Sequence, residues 1–194
     1  MGVIMNIEVI SKCQKCDLCA NQQPLLQKNV KRASIFWVGL SAVKIVGLSD
    51  EEPLSPITNT GKLISEIENM LPSLDFYKTN VVKCLPLDKS GKIRYPTISE
   101  MNSCFQNIEI EIDKFNPRIV VLLGTQVSQF FLKQHNIKLT TFDDNFAYKA
   151  IGANNIKFLP IHHPSYIQIY KRKKSNEYKN SVSMAILSTY SSLS

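Results

Sequence analysis

No apolar run in this 194-residue chain approaches the roughly 20 residues that a membrane-spanning helix needs. The opening ten residues, MGVIMNIEVI, lack the basic region and the length of a secretory leader, and they carry Glu8. Gly2 follows Met1, but Asn6 stands where a myristoylation signal requires Ser or Thr. These absences point to a cytoplasmic protein with no membrane partner. Internal repeats, low-complexity tracts and composition breaks are also missing, so one domain over residues 1–194 is expected. Acidic residues are in the minority, 16 against 23 Lys and Arg, and the formal charge of +7 favours a polyanionic partner if the basic residues cluster.

The hydrophobic content, 44% with 20% charged residues, is that of a globular domain able to bury a core. Short β-forming runs at 33–39 (ASIFWVG), 76–84 (FYKTNVVKC), 118–124 (RIVVLLG) and 156–161 (IKFLPI) read as buried strands. Between them, Leu63, Ile64, Ile67 and Leu71 fall on one helical face. A second helix is capped by Thr97 or Ser99 and ends at Asn116-Pro117. Further helices are expected over 125–135 and within 176–193. The long segment 41–60 and the segment 87–96 read as exposed loops. Strands alternating with helices imply a three-layer α/β/α sandwich around a mainly parallel, four-stranded sheet, with ligand sites beyond the carboxyl ends of the strands.

The chain has five cysteines, and in a cytoplasmic protein metal binding or a reactive thiol explains them better than disulfides. Cys13 and Cys16 are spaced to clasp one centre, and Cys84 and Cys104 flank a loop that could bring two more thiolates. By count, zinc and an iron–sulfur cluster suit four such ligands equally, and Cys84 and Cys104 could instead be buried thiols. Cys19 is spare.

In order along the chain stand CQKCDLC, a strand ending in VGL, TNVVKCLP, a helix carrying another cysteine, PRIVVLLG and HHPSY. This ordered set, from Cys13 to Tyr166, resembles the iron–sulfur uracil-DNA glycosylases. The resemblance implies a [4Fe–4S] cluster on Cys13, Cys16, Cys84 and Cys104, with zinc as the alternative. It implies uracil-containing DNA, single- or double-stranded, as partner, and hydrolysis of the uracil N-glycosidic bond to leave an abasic site. A protein partner is not legible, and a monomer is expected.

Such an enzyme must take the base out of the stack, read its edge and stabilise the charge that builds as it leaves. By the resemblance Asn80 reads uracil, Gly39 and Ser41 line its pocket, His163 stabilises the departing base and Ser165 grips DNA. His162 is a neighbour, and His135 lies away from the motifs. Lys171, Arg172, Lys173 and Lys174, interleaved with Tyr166 and Tyr170, form the phosphate-facing patch, in a segment that otherwise reads as a basic loop. The first motif departs from the family. Leu40 stands where the best-known cluster-bearing class has a water-positioning glutamate, so Asp50, or its neighbours Glu51 and Glu52, are the candidates for that role. Pro56-Ile57-Thr58-Asn59 supplies no aromatic to stack on the base. These departures keep open a catalytically silent relative that binds DNA or protein in a replication or mobile-element assembly.

Overall fold

The structure is a computed structural model and describes residues 7–44, 52–139, 141–152 and 155–193. Strands β1 (Ile35–Ser41), β2 (Phe76–Val82), β3 (Ile119–Leu123) and β4 (Lys157–Ile161) form one sheet in the order β2-β1-β3-β4. Every neighbouring pair is parallel. The helices are α1 (Glu8–Ser11), α2 (Asn59–Asn69), α3 (Ile98–Phe115), α4 (Thr125–Gln134), α5 (Pro164–Tyr170) and α6 (Ser175–Ser192), with 3₁₀ turns at Asp17–Ala20 and Arg172–Lys174.

Alternation along each strand sends side chains to opposite faces. Phe36, Val38, Tyr77, Val120 and Leu122 meet Met101, Cys104 and Ile108 of α3 and Val127 and Phe131 of α4. Ile35, Trp37, Ile119, Val121 and Leu123 meet Leu63, Ile64 and Ile67 of α2, Ile167 of α5, and Tyr178, Val182 and Ile186 of α6. The sheet is thus covered on both sides, the three-layer sandwich that its continuous apolar strands imply. No helix among the described residues is long and apolar enough to cross a membrane.

Local chemistry sets the element ends. The Thr97 side chain accepts from the Glu100 backbone N–H and the Glu100 carboxylate accepts from the Thr97 N–H, a closed capping box that makes Thr97, not Ser99, the start of α3. The helix stops at Asn116 in the left-handed region (φ 46°), just before Pro117. Thr58 Oγ1 accepts from Gly61 N at 3.0 Å, so α2 begins at Asn59, ahead of its apolar stripe. Strand β1 continues through Gly39 and Leu40 to Ser41 because Ser41 still pairs with Val82 of β2. The basic segment after His163, whose alternative reading is a solvated loop, is largely helical: Pro164 opens α5, Ile167 is buried, and the basic residues form the 3₁₀ turn that leads into α6.

Lys83, directly after β2, is fully buried. Its ammonium donates to Glu111 Oε2 at 2.6 Å, to Thr79 Oγ1, and to the Asn80 carbonyl at 2.9 Å. Thr79 Oγ1 donates to Glu111 Oε2 at 2.8 Å and Tyr77 Oη donates to Oε1 at 2.9 Å, so both carboxylate oxygens are engaged. A dry ion pair survives only when its hydrogen bonds are complete, and removing one partner strands the other charge. Glu111→Ala should therefore lower the unfolding free energy by about 3–5 kcal/mol in denaturant titration.

Candidate active site

A cavity of about 520 Å³ opens at the carboxyl edge of the sheet. Gly39, Leu40 and Ser41 of β1, Asn80 of β2 and His163, beyond β4, converge on it. Glu52, Leu54 and Thr58 form one side of the lining, and Ile93, Arg94 and Tyr95 contribute from the connection between β2 and α3. This edge, beyond the carboxyl ends of the strands, is where open parallel sheets place ligands.

Asn80 is 3% exposed, and its Oδ1 has no hydrogen-bond partner among the described residues. Leaving a buried acceptor unsatisfied costs about 1–3 kcal/mol, so this atom stands ready for a donor from a ligand. Gly39 lies directly opposite in the ladder. A Cβ there would collide with Asn80 Oδ1 and come within 2.9 Å of Leu54 Cδ2, so only glycine lets the amide occupy this position.

His163 caps α5. Its Nδ1 accepts from the Ser165 backbone N–H at 3.2 Å and lies 2.7 Å from Ser165 Oγ. Because a backbone N–H can only donate, Nδ1 is an acceptor and the neutral ring carries its proton on Nε2. Burial lowers the affinity of the ring for a second proton. Gly124, at φ 87°, brings the end of β3 close to the imidazole, and a Cβ there would lie 3.0 Å from His163 Cβ. His162, the neighbour, is engaged elsewhere, with its Nδ1 2.7 Å from Tyr148 Oη and its ring stacked on Tyr166. His135 packs among Phe105, Phe131 and Phe158, away from the cavity.

Of the acidic triplet, Asp50 and Glu51 lie outside the described residues, whereas Glu52 lines the cavity and its Oε1 accepts from Lys28 N at 3.4 Å. Leu40 also faces the cavity and contributes no acid. The wall made by Ile93–Tyr95 is one that sequence reasoning misses, because the segment reads as a bare exposed connection. The Arg94 guanidinium grips both Glu100 oxygens, at 2.9 and 2.5 Å, and donates to the Leu87 and Tyr95 carbonyls. That clamp holds the Glu100 carboxyl down to about 2. An arginine with a glutamate six residues on is the available signal.

The cysteines gather on the α3 side of the sheet. Lys83 N donates to Cys104 Sγ at 3.4 Å, and Asn107 Nδ2 reaches Cys13 Sγ at 3.4 Å and Cys104 Sγ at 3.6 Å. Burial, with Cys104, Cys16 and Cys13 nearby, pushes the Cys84 thiol up to about 12, and burial also raises Cys16. Two of these sulfurs receive N–H donors, Cys104 from Lys83 and Asn107 and Cys13 from Asn107, which suits a cationic centre that takes them as thiolates. Among the described residues no three His, Cys, Asp or Glu side chains are arranged to hold a single metal ion. Cysteine sulfurs are the donors that an iron–sulfur cluster takes, and zinc takes them as well. Cys19 is half-buried beside the same group.

The basic patch is partly self-neutralised. Lys171 pairs with Asp144 at 3.4 Å and Lys174 with Glu177 at 3.7 Å, while Arg172 and Lys173 have no ion pair among the described residues.

Residues 23–185 match the model of the Uracil DNA glycosylase superfamily. The Type-4 uracil-DNA glycosylase of Archaeoglobus fulgidus is 26% identical over 183 residues, covering 90% of this chain and 86% of that one. The Type-4 uracil-DNA glycosylase of Sulfurisphaera tokodaii is 26% identical over 172 residues, 86% of this chain and 67% of that one. The crystal structure of SMUG2 from Pedobacter heparinus superposes with a TM-score of 0.54 at 14% identity, covering 82% of this chain and 77% of that one, which speaks for the fold alone.

His135, His162 and His163 all have their proton affinity lowered, in each case chiefly by burial. The unfolded chain then binds more protons than the folded one just below the ordinary histidine value of about 6.5. Stability should be complete above that value and fall as pH drops through the lowered folded values, as thermal melts from pH 8 to pH 5 would show.

Proposed function

The chain belongs to the uracil DNA glycosylase superfamily, and from that membership we propose that it binds DNA and hydrolyses the N-glycosidic bond of uracil, leaving an abasic site. The observation that carries this reading is the buried, unpartnered Oδ1 of Asn80 at the floor of the cavity. Uracil N3–H is the donor it lacks, and Asn80 Nδ2 can donate to O4 of the same base. Cytosine presents a lone pair at N3 and an amino group at C4, so both contacts would become repulsive. Ser41 and Gly39 close the pocket around the extruded base.

As the bond between C1′ and N1 breaks, its electron pair passes to the base and charge develops on O2. His163, neutral and protonated on Nε2, donates there. Water attacks C1′ and gives up its proton to an acid of the acidic triplet. Glu52, the described member, is the base favoured here, and Asp50 keeps the role expected for it only if it too reaches the cavity. Ser165 and two cations of the 3₁₀ turn, Arg172 and Lys173, contact phosphates, with Lys171 joining when it releases Asp144.

In this reading Cys13, Cys16, Cys84 and Cys104 hold a [4Fe–4S] cluster. Its chemistry is structural: it ties the amino-terminal segment to the residues just after β2. Protein purified without oxygen should be brown and carry about four irons with matching sulfide; about one zinc with no iron would refute the cluster.

Leu40 in the first motif favours a second reading, a catalytically silent relative kept for DNA or protein binding. Single-turnover incubation with single- and double-stranded oligonucleotides bearing one uracil separates the two. Wild-type protein should generate alkali-labile sites, His163→Ala should slow this by about 10²–10³-fold and Glu52→Gln by at least about 10²-fold. Tight binding without abasic product would leave only the silent reading.

A further inference from the structure

Resting on the reading of the cavity as a base pocket, we infer that Tyr95, from the connection between β2 and α3, supplies the aromatic face on which the extruded base stacks. The segment Pro56–Asn59 brings no aromatic ring to the cavity, and Tyr95 is the one Phe, Tyr or Trp among the described residues lining it. A flat, uncharged pyrimidine held only by edge contacts would keep one face against water. A ring on that face removes the exposure without reading sequence.

Tyr95 is 77% exposed, and a lone aromatic on a protein surface usually needs no explanation. Its backbone argues otherwise. The connection doubles back through an antiparallel bridge between Leu87 and Ile93, with Asp88 N donating to the Lys92 carbonyl at 2.8 Å and Arg94 N to the Pro86 carbonyl at 3.0 Å. The Asp88 carboxylate collects Ser90 N, Ser90 Oγ and Lys92 N at 2.7–3.0 Å, tightening the turn. Arg94 then locks to Glu100 on α3 and donates to the Tyr95 carbonyl at 2.9 Å, while Pro96 stiffens the following residue. The chain is fixed on both sides of Tyr95, yet its ring stays in solvent at the rim of the cavity. A held backbone with an open aromatic face gives up little conformational entropy when a base arrives. Ile93, 52% exposed, extends the same apolar rim.

The test measures binding rather than turnover. Duplexes would carry a 2′-fluoro-deoxyuridine, whose glycosidic bond resists hydrolysis, or deoxycytidine at the same position. Wild type, Tyr95→Phe and Tyr95→Ala would be compared, with melting temperatures to show that each variant folds. The expected result is that wild type and Tyr95→Phe prefer the uracil duplex alike, whereas Tyr95→Ala loses from about fivefold to about a hundredfold of that preference and keeps its affinity for the cytosine duplex. Equal preference in Tyr95→Ala and wild type would overturn the stacking role alone. An equal loss on both duplexes would also overturn it, in favour of a general contact with the helix. No uracil preference in the wild type would overturn the base-pocket reading and the stacking role with it.

Discussion

The Lys83 ammonium has no water to turn to, and everything at the carboxyl end of β2 is arranged around that fact. Its charge is met by Glu111 on α3, by Thr79 in the strand and by the carbonyl of Asn80. The pair therefore does more than join a strand to a helix. On its amino-terminal side it fixes the backbone of the residue whose amide oxygen looks into the cavity. The backbone N–H of Lys83 itself meets Cys104, and Cys84 follows directly. The cavity and the cysteine group thus share a single short stretch of chain, Asn80–Cys84.

On the proposed reading, this shared stretch gives a physical reason for a cluster with no part in hydrolysis. The connection from Cys84 to α3 carries Arg94 and Tyr95 to the cavity, and it is flanked by Cys84 at its start and by Cys104 within α3. Holding both sulfurs on one centre would shorten the free length of that connection and fix the wall it builds. The Arg94–Glu100 clamp acts at the middle of the same segment. On the proposed reading, rigid walls matter because a pocket that recognises an extruded base loses discrimination with every loose contact.

Much of this is legible in the residues. Continuous apolar strands name the covered parallel sheet, and the ordered motifs put Asn80, Gly39, Ser41 and His163 in one place, where the cavity gathers them. What stays hidden depends on contacts distant in sequence. Lys83 and Glu111 are 28 residues apart, and nothing in either local pattern announces a buried ion pair. Tyr95 sits in a stretch of Gly, Pro and charge that reads as solvent-facing, and only the fold turns it toward the cavity. The segment after His163 reads as a basic loop because its lysines dominate the composition; a single buried isoleucine and a proline at the first helical position decide it as a helix.

At the centre of the proposal stands recognition of the edge of uracil by the Asn80 amide. The most direct measurement follows the side-chain amide resonances of Asn80 by NMR, assigned against Asn80→Asp, while free uracil and then cytosine are added. Saturable shifts with uracil and none with cytosine are expected, since only uracil presents a donor at N3 to the orphaned oxygen together with an acceptor at C4 for the amide nitrogen. Shifts of equal size with both bases, or none with either, would contradict that recognition.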